Sequence, residues 1–202
     1  MYIPKAFLFD DMAAKIAFMK KYSFAAIVTN IDSTPVATML PFTVNERDGK
    51  IFLRAHFSAV NDQTKYIENN TSLVIFSGPH AYISPEHYEK RESVPTWDYI
   101  TVHAYGRSTI LHDNSSKKIM LEEMISFYDR GYKEQWDSLP EKYISGMLKG
   151  IVAFELEVSS LTGQKKLSQN KNQQERNKII HQLEGSDNSV EKELAVYIKE
   201  LT

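Results

Sequence analysis

Six histidines are the residues best suited to act as bases or ligands in this chain. It has no cysteine, so thiolate nucleophiles, cysteine-bound zinc, iron–sulfur clusters and disulfides have no carrier. His80 and His87 lie seven residues apart across a proline-containing loop, without the His-x-x-x-His spacing of a metal helix, which argues against a metal site. His56 and His103 sit in strand-like runs, where alternation points them away from their apolar neighbours. Each ring has a plain role, hydrogen-bonded to backbone and half-buried, and a sharper one, contact with a ligand. His112 and His181 read as surface positions. Trp97, Tyr99, Tyr105, Phe76 and Tyr82 gather around two strand candidates, 72–84 and 96–106, as core or as walls for a planar ring. Between Gln164 and His181, Lys165, Lys166, Lys171, Arg176 and Lys178 face Glu175 alone, a stretch suited to solvent or to an anion. Gly-x-Gly-x-x-Gly, P-loop and Gly-x-Ser-x-Gly patterns do not occur, so any redox chemistry belongs to a cofactor.

These residues must be positioned by an α+β arrangement. The 202 residues, 42% hydrophobic and 25% charged, suffice for one globular domain with an appendage. The spacing predicts a helix over 10–21, then strands over 24–30, 35–44 and 51–57, joined by turns at Asp32-Ser33 and Asp48-Gly49. A short polar helix follows at 60–69, then strands 72–77 and 80–84 separated at Gly78-Pro79, and a long strand 96–111. Helical periodicity returns at 114–130 and 140–148, and 150–161 alternates as the last strand. Residues 172–183 and 188–201 form two further helices. The expectation is a small antiparallel barrel over residues 1–161, with helices outside, and a C-terminal helical extension over 162–202 packed on the barrel or on a partner subunit.

Pro4, Lys5, Asp10 and Asp11 interrupt the stretch where a signal peptide needs unbroken apolar residues, and no apolar run reaches the length of a membrane span. A cytoplasmic protein without membrane contact is expected. Its net charge of −2 provides no general field for nucleic acid, so any polyanion must meet a local patch.

Several strings together resemble the PaiB family of FMN-binding negative transcriptional regulators: MYIPK (1–5), ATMLPF (37–42), AHFSAVN (55–61), FSGPHAYISP (76–85), VPTWDY (94–99), VHAYG (102–106) and KLSQNK (166–171). The resemblance implies a homodimer of antiparallel six-stranded split β-barrels with an FMN-type site at the subunit interface. It points to Thr38, Met39, His56, Ser58 and Asn61 as cofactor-binding residues, with Trp97, His103, Lys166 and Gln169 across the interface. Three positions depart from the family pattern: Met39 replaces a histidine, Ala59 an arginine and Asp62 a proline. An arginine near a phosphate supplies a charge-assisted bidentate bond that alanine lacks, so weakened FMN affinity is expected. Three functions follow: a regulator that meets DNA through 164–181, an FMN-dependent oxidoreductase of the split-barrel class, or a dimer that has lost its flavin. Whether the chain is an enzyme stays open at this point.

Overall fold

The computed structural model describes residues 1–201. Its seven strands are β1 (Phe24–Ile31), β2 (Thr34–Pro41), β3 (Thr43–Arg47), β4 (Lys50–Ser58), β5 (Thr71–Ile83), β6 (Thr96–Leu111) and β7 (Ile151–Lys166). The helices are α1 (Met12–Lys21), α2 (Asn114–Tyr128), α3 (Lys133–Ser138), α4 (Glu141–Leu148), α5 (Gln173–Gly185) and α6 (Ser189–Lys199). The strands form one sheet in the order β2-β1-β5-β6-β7-β4-β3.

The α+β class is as expected; the seven strands are one more than the resemblance implies, and the sheet is not closed into a barrel. The run 35–44 gives two strands because it breaks at Phe42. That side chain is fully buried and its N–H donates to Ser23 O at 2.8 Å. The chain therefore leaves its ladder with β1 at Pro41 and begins a new one with β4 at Thr43. Both hairpin turns are of the expected kind. Asp32 and Ser33 have φ of 47° and 68°, Asp48 and Gly49 of 53° and 73°, the left-handed pairs that match the twist of flanking strands.

β5 corrects the separation at Gly78-Pro79, since one strand runs through both residues. Its ladder to β1 ends at Ile75, which leaves the missing N–H of Pro79 without a β1 partner to disappoint. Burial does change phase there, from Ser72, Val74 and Phe76 to Pro79, Ala81 and Ile83. The helix expected at 60–69 shrinks to a 3-10 turn, Asp62–Lys65, and β7 continues past residue 161 to Lys166.

The chain divides into two compact units. One comprises Ile16–Phe76 and His103–Leu161. Its core stacks Phe57 on Phe154, with centroids 5.1 Å apart, and sets Phe42 edge-on to Phe76 and Phe154. Arg54, on β4, ties α2 to β7 by donating to Glu123 and to Glu155, at 2.7 Å each. The other unit comprises Met1–Lys15, Ser77–Val102 and Thr162–Thr202. Here α5 and α6 bury Ile179, Ile180, Leu183, Leu194 and Ile198, and Asn172 with Glu175 closes a reciprocal capping box at the start of α5.

Candidate functional site

In the first unit, β2 brings Thr38 against the segment that follows β4. The Thr38 hydroxyl donates to Gln63 Oε1 at 2.8 Å and accepts from Asn61 Nδ2 at 3.1 Å. Asn61 Oδ1 in turn caps the 3-10 turn by accepting from Gln63 N at 2.9 Å. Gln63 is completely buried, and its Nε2 donates to Ile27 O at 3.1 Å and to Thr29 Oγ1 at 2.9 Å. Thr29 and Ser72 share a further bond of 2.8 Å. These contacts use both donors of the amide and its oxygen, so its orientation is set by the network. The consequence is a rigid polar seat under Thr38 and Asn61, which remain half-exposed at its rim. Gln63 carried no signal of its own in the sequence, because its segment is polar throughout and reads as surface. Only the strands around it reveal a buried amide.

The remaining expected residues of this unit divide. Met39 follows Thr38 on β2 and so points to the opposite face, about half exposed at 51%. Ser58 ends β4 in the open. The Ala59 N–H next to it is taken by Gly150 O at 2.9 Å. Asp62 pairs with Lys65 at 2.6 Å, so that lysine is already engaged. His56 and His103 are half-buried, and in both rings Nδ1 is buried without a partner. Burial lowers both pKa values, which keeps the rings neutral near pH 7, each with one nitrogen donating and one accepting. They do not form a pair. His56 stands opposite Ala153 on β7, whereas Ser159 Oγ donates to Tyr105 O, two residues from His103. The six steps from Ala153 to Ser159 span roughly 20 Å of strand.

Trp97, Lys166 and Gln169 belong to the second unit, and two of them meet. Lys166 Nζ donates to Trp97 O at 2.7 Å and also to Thr96 Oγ1. The exposed Trp97 ring packs near Tyr82 and His80, with centroids 6.1 and 6.0 Å away. Gln169 is local scaffolding: Nε2 donates to Lys165 O at 2.6 Å, and Oε1 accepts from Leu167 N at 2.7 Å. These bonds hold a tight bend in which Ser168 adopts φ of 55°. The bend delivers Ser168 Oγ to Asp98 Oδ2 at 2.6 Å. Asp98 was missed at the sequence level, since one acid inside a strand pattern has no distinguishing spacing. Among the described residues, no three His, Asp or Glu side chains gather as a metal site.

A flavin asks for polar groups along one edge of its ring, a wall for its face and cations for its phosphate. The rim of Thr38 and Asn61 and the neutral His56 suit the first need. The phosphate is less well served. Arg54 is held by Glu123 and Glu155, and Lys65 by Asp62.

Residues 1–160 match a family model described as "Putative FMN-binding domain". Across 199 residues, the chain is 37% identical to the "Protease synthase and sporulation protein PAI 2" of Bacillus subtilis strain 168, covering 96% of this chain and 95% of that one. The chain belongs to the PaiB family. Two solved structures share the fold of this PaiB-family chain. The flavocytochrome Anf3 of Azotobacter vinelandii superposes with a TM-score of 0.63 at 16% identity, over 81% of this chain and 72% of that one. The FAD and heme binding protein of Mycobacterium smegmatis gives 0.61 at 13%, over 79% and 73%. At such identities the likeness establishes a split-barrel type of fold for the PaiB member, not shared residues. No helix among the described residues is long and apolar enough to cross a membrane.

Proposed function

We propose that this chain is a PaiB-like flavin-binding protein that works as a homodimeric transcriptional regulator, with its flavin seated at the subunit interface. Family membership supports the flavin, and both solved relatives named above bind a flavin or are flavoproteins by name. The observation that carries the reading is the Thr38–Asn61–Gln63 network. It holds two hydrogen-bonding side chains at the rim of a buried polar seat, on the strand and loop where the family resemblance puts the cofactor. Thr38 and Asn61 would bond the ring edge, and His56 would offer a neutral imidazole. When bound, a flavin supplies one- and two-electron redox chemistry, and the protein's part is to orient it and exclude water.

DNA contact has less support. Four of the five cations expected to face a polyanion are turned inward on their own unit. Lys165 lies over Phe9 at 4.2 Å, Lys171 over Tyr88 at 3.4 Å, Lys166 bonds Trp97, and Arg176 donates to Lys171 O and Gln173 Oε1. Only Lys178 has no such contact here, and counterion release needs several phosphate-facing cations.

Titrating dialysed protein with FMN, followed by flavin fluorescence and visible absorption, tests the reading. Saturation near one flavin per chain is expected, with about tenfold weaker binding for Asn61→Ala, the loss of roughly one or two hydrogen bonds. His56→Gln, which leaves the β4 pairing intact, should also weaken it. An absence of saturable binding at tens of micromolar overturns the flavin reading.

A further inference from the structure

The unit of Ile16–Phe76 and His103–Leu161 carries an open groove of about 780 Å³ between β3 and α2. Small-molecule sites occupy roughly 300–1,000 Å³. α2 buries Met120 and Met124, and it leaves Ile119 and Phe127 on the groove wall at 54% and 45% exposure. Their separation of eight residues puts both on one stripe of the helix. The wall is therefore apolar surface that a ligand with an apolar body removes from water.

Three cations and two acids also line the groove, and all but one of them are already engaged. Both oxygens of Glu123 accept from Arg54, at 2.7 and 2.8 Å. Glu122 Oε1 accepts from Trp136 Nε1 at 3.2 Å and stands 3.9 Å from Lys118. Lys20 pairs with Glu46 at 3.5 Å, and Lys133 pairs with Asp137. Arg130, in the turn that follows α2, has no acidic partner among the described residues. It spends only Nε, on Ser126 O at 3.3 Å, so its two terminal nitrogens stay open. Once the pairs cancel, the groove keeps one positive charge in excess, and Arg130 carries it.

We propose that this groove binds a small monocarboxylate with an apolar body, its carboxylate on Arg130 and its chain along Phe127 and Ile119. A guanidinium presents parallel N–H donors that match the two oxygens of a carboxylate, and such charge-assisted bonds are about twice as strong as neutral ones. An amine of the same shape meets the charge of Arg130, and an alcohol leaves the guanidinium to water. The proposal does not rest on the flavin reading, since no residue of the groove belongs to the Thr38 network or to the positions assigned to the flavin.

Isothermal titration of the full chain at neutral pH with hexanoate, octanoate and decanoate, each below its micellar concentration, tests it. Octanol and octylammonium serve as controls. Octanoate should bind saturably at one site per chain in the millimolar range or tighter. Each two methylenes added should tighten binding about threefold or more, part of what fully buried methylenes give. Octanol should bind about tenfold more weakly, and octylammonium should not bind. Arg130→Gln and Phe127→Ala, both at exposed positions, should each weaken octanoate binding at least fivefold. Lys142→Gln, which removes an exposed cation of α4 outside the groove, should leave it unchanged. The proposal is wrong if no alkanoate binds saturably at millimolar concentration, or if octanol or octylammonium binds as tightly as octanoate. It is equally wrong if Arg130→Gln or Phe127→Ala binds like the parent, or if Lys142→Gln weakens binding as much as Arg130→Gln.

Discussion

Burial pushes the Asp98 carboxyl up to about 6, against the opposing pull of the Ser168 hydroxyl and of Lys166 and Lys171. In an unfolded chain the same group titrates near 3.8. The folded state therefore holds the extra proton between those values. Its contribution to stability is fully present below about pH 4 and is lost as pH rises through about 6. Above that, ionised Asp98 costs on the order of 3 kcal/mol. Asp98→Asn is accordingly expected to be more stable than the parent at pH 7, and the advantage should shrink toward zero near pH 4. Urea unfolding across that range measures the difference between the two proteins, in which the titration of other groups cancels. An advantage that stays constant with pH would show that desolvation of a carboxylate is not its cause. His56 carries the opposite sign. Its lowered pKa gives stability that is present above about 6.5 and lost on acidification.

Elements in this protein are positioned by a few close approaches of backbone. At Gly106, on β6, a Cβ would stand 2.2 Å from Glu157 O and 2.4 Å from Leu156 Cδ2 on β7. No rotamer change relieves a clash with a carbonyl oxygen, so the two strands would have to separate. Gly106→Ala is expected to cost about 3 kcal/mol or more, at the upper end of overpacking effects, and to lower the melting temperature by several degrees. Thermal unfolding followed by circular dichroism checks this, and an unchanged melting temperature would refute the close packing. Helix starts are specified more locally. Asp11 accepts from Ala14 N, Asp113 from Ser116 N and Asn188 from Val190 N, each at the start of its helix.

For the whole molecule, the charge of −2 and the inward-turned cations leave a surface without a strong positive field. Association with a second copy is the partnership that the proposed function needs. Gel filtration is expected to give about twice the 23.2 kDa of one chain, independent of added FMN. A monomer at micromolar concentration would remove the interface site, and flavin binding by that monomer would relocate it within one chain.

The element pattern was legible in the sequence, because alternation, helical periodicity and left-handed Asp-Gly and Asp-Ser turns are local consequences of backbone geometry. So was the family, since its strings are short and run in a fixed order. Tertiary structure decided what locality cannot encode. Phe42 splits one run into two strands because its side chain is drawn into the aromatic core, and Pro79 is admitted to β5 because the β1 ladder has already ended. The candidate residues were legible one by one, yet their grouping was not. Thr38 meets Asn61 over a buried glutamine that no spacing marks, while His56 on β4 and His103 on β6 flank different stretches of β7. Burial of a polar atom depends on strands that arrive from elsewhere in the chain. That is why Gln63 and Asp98 became visible only in the fold.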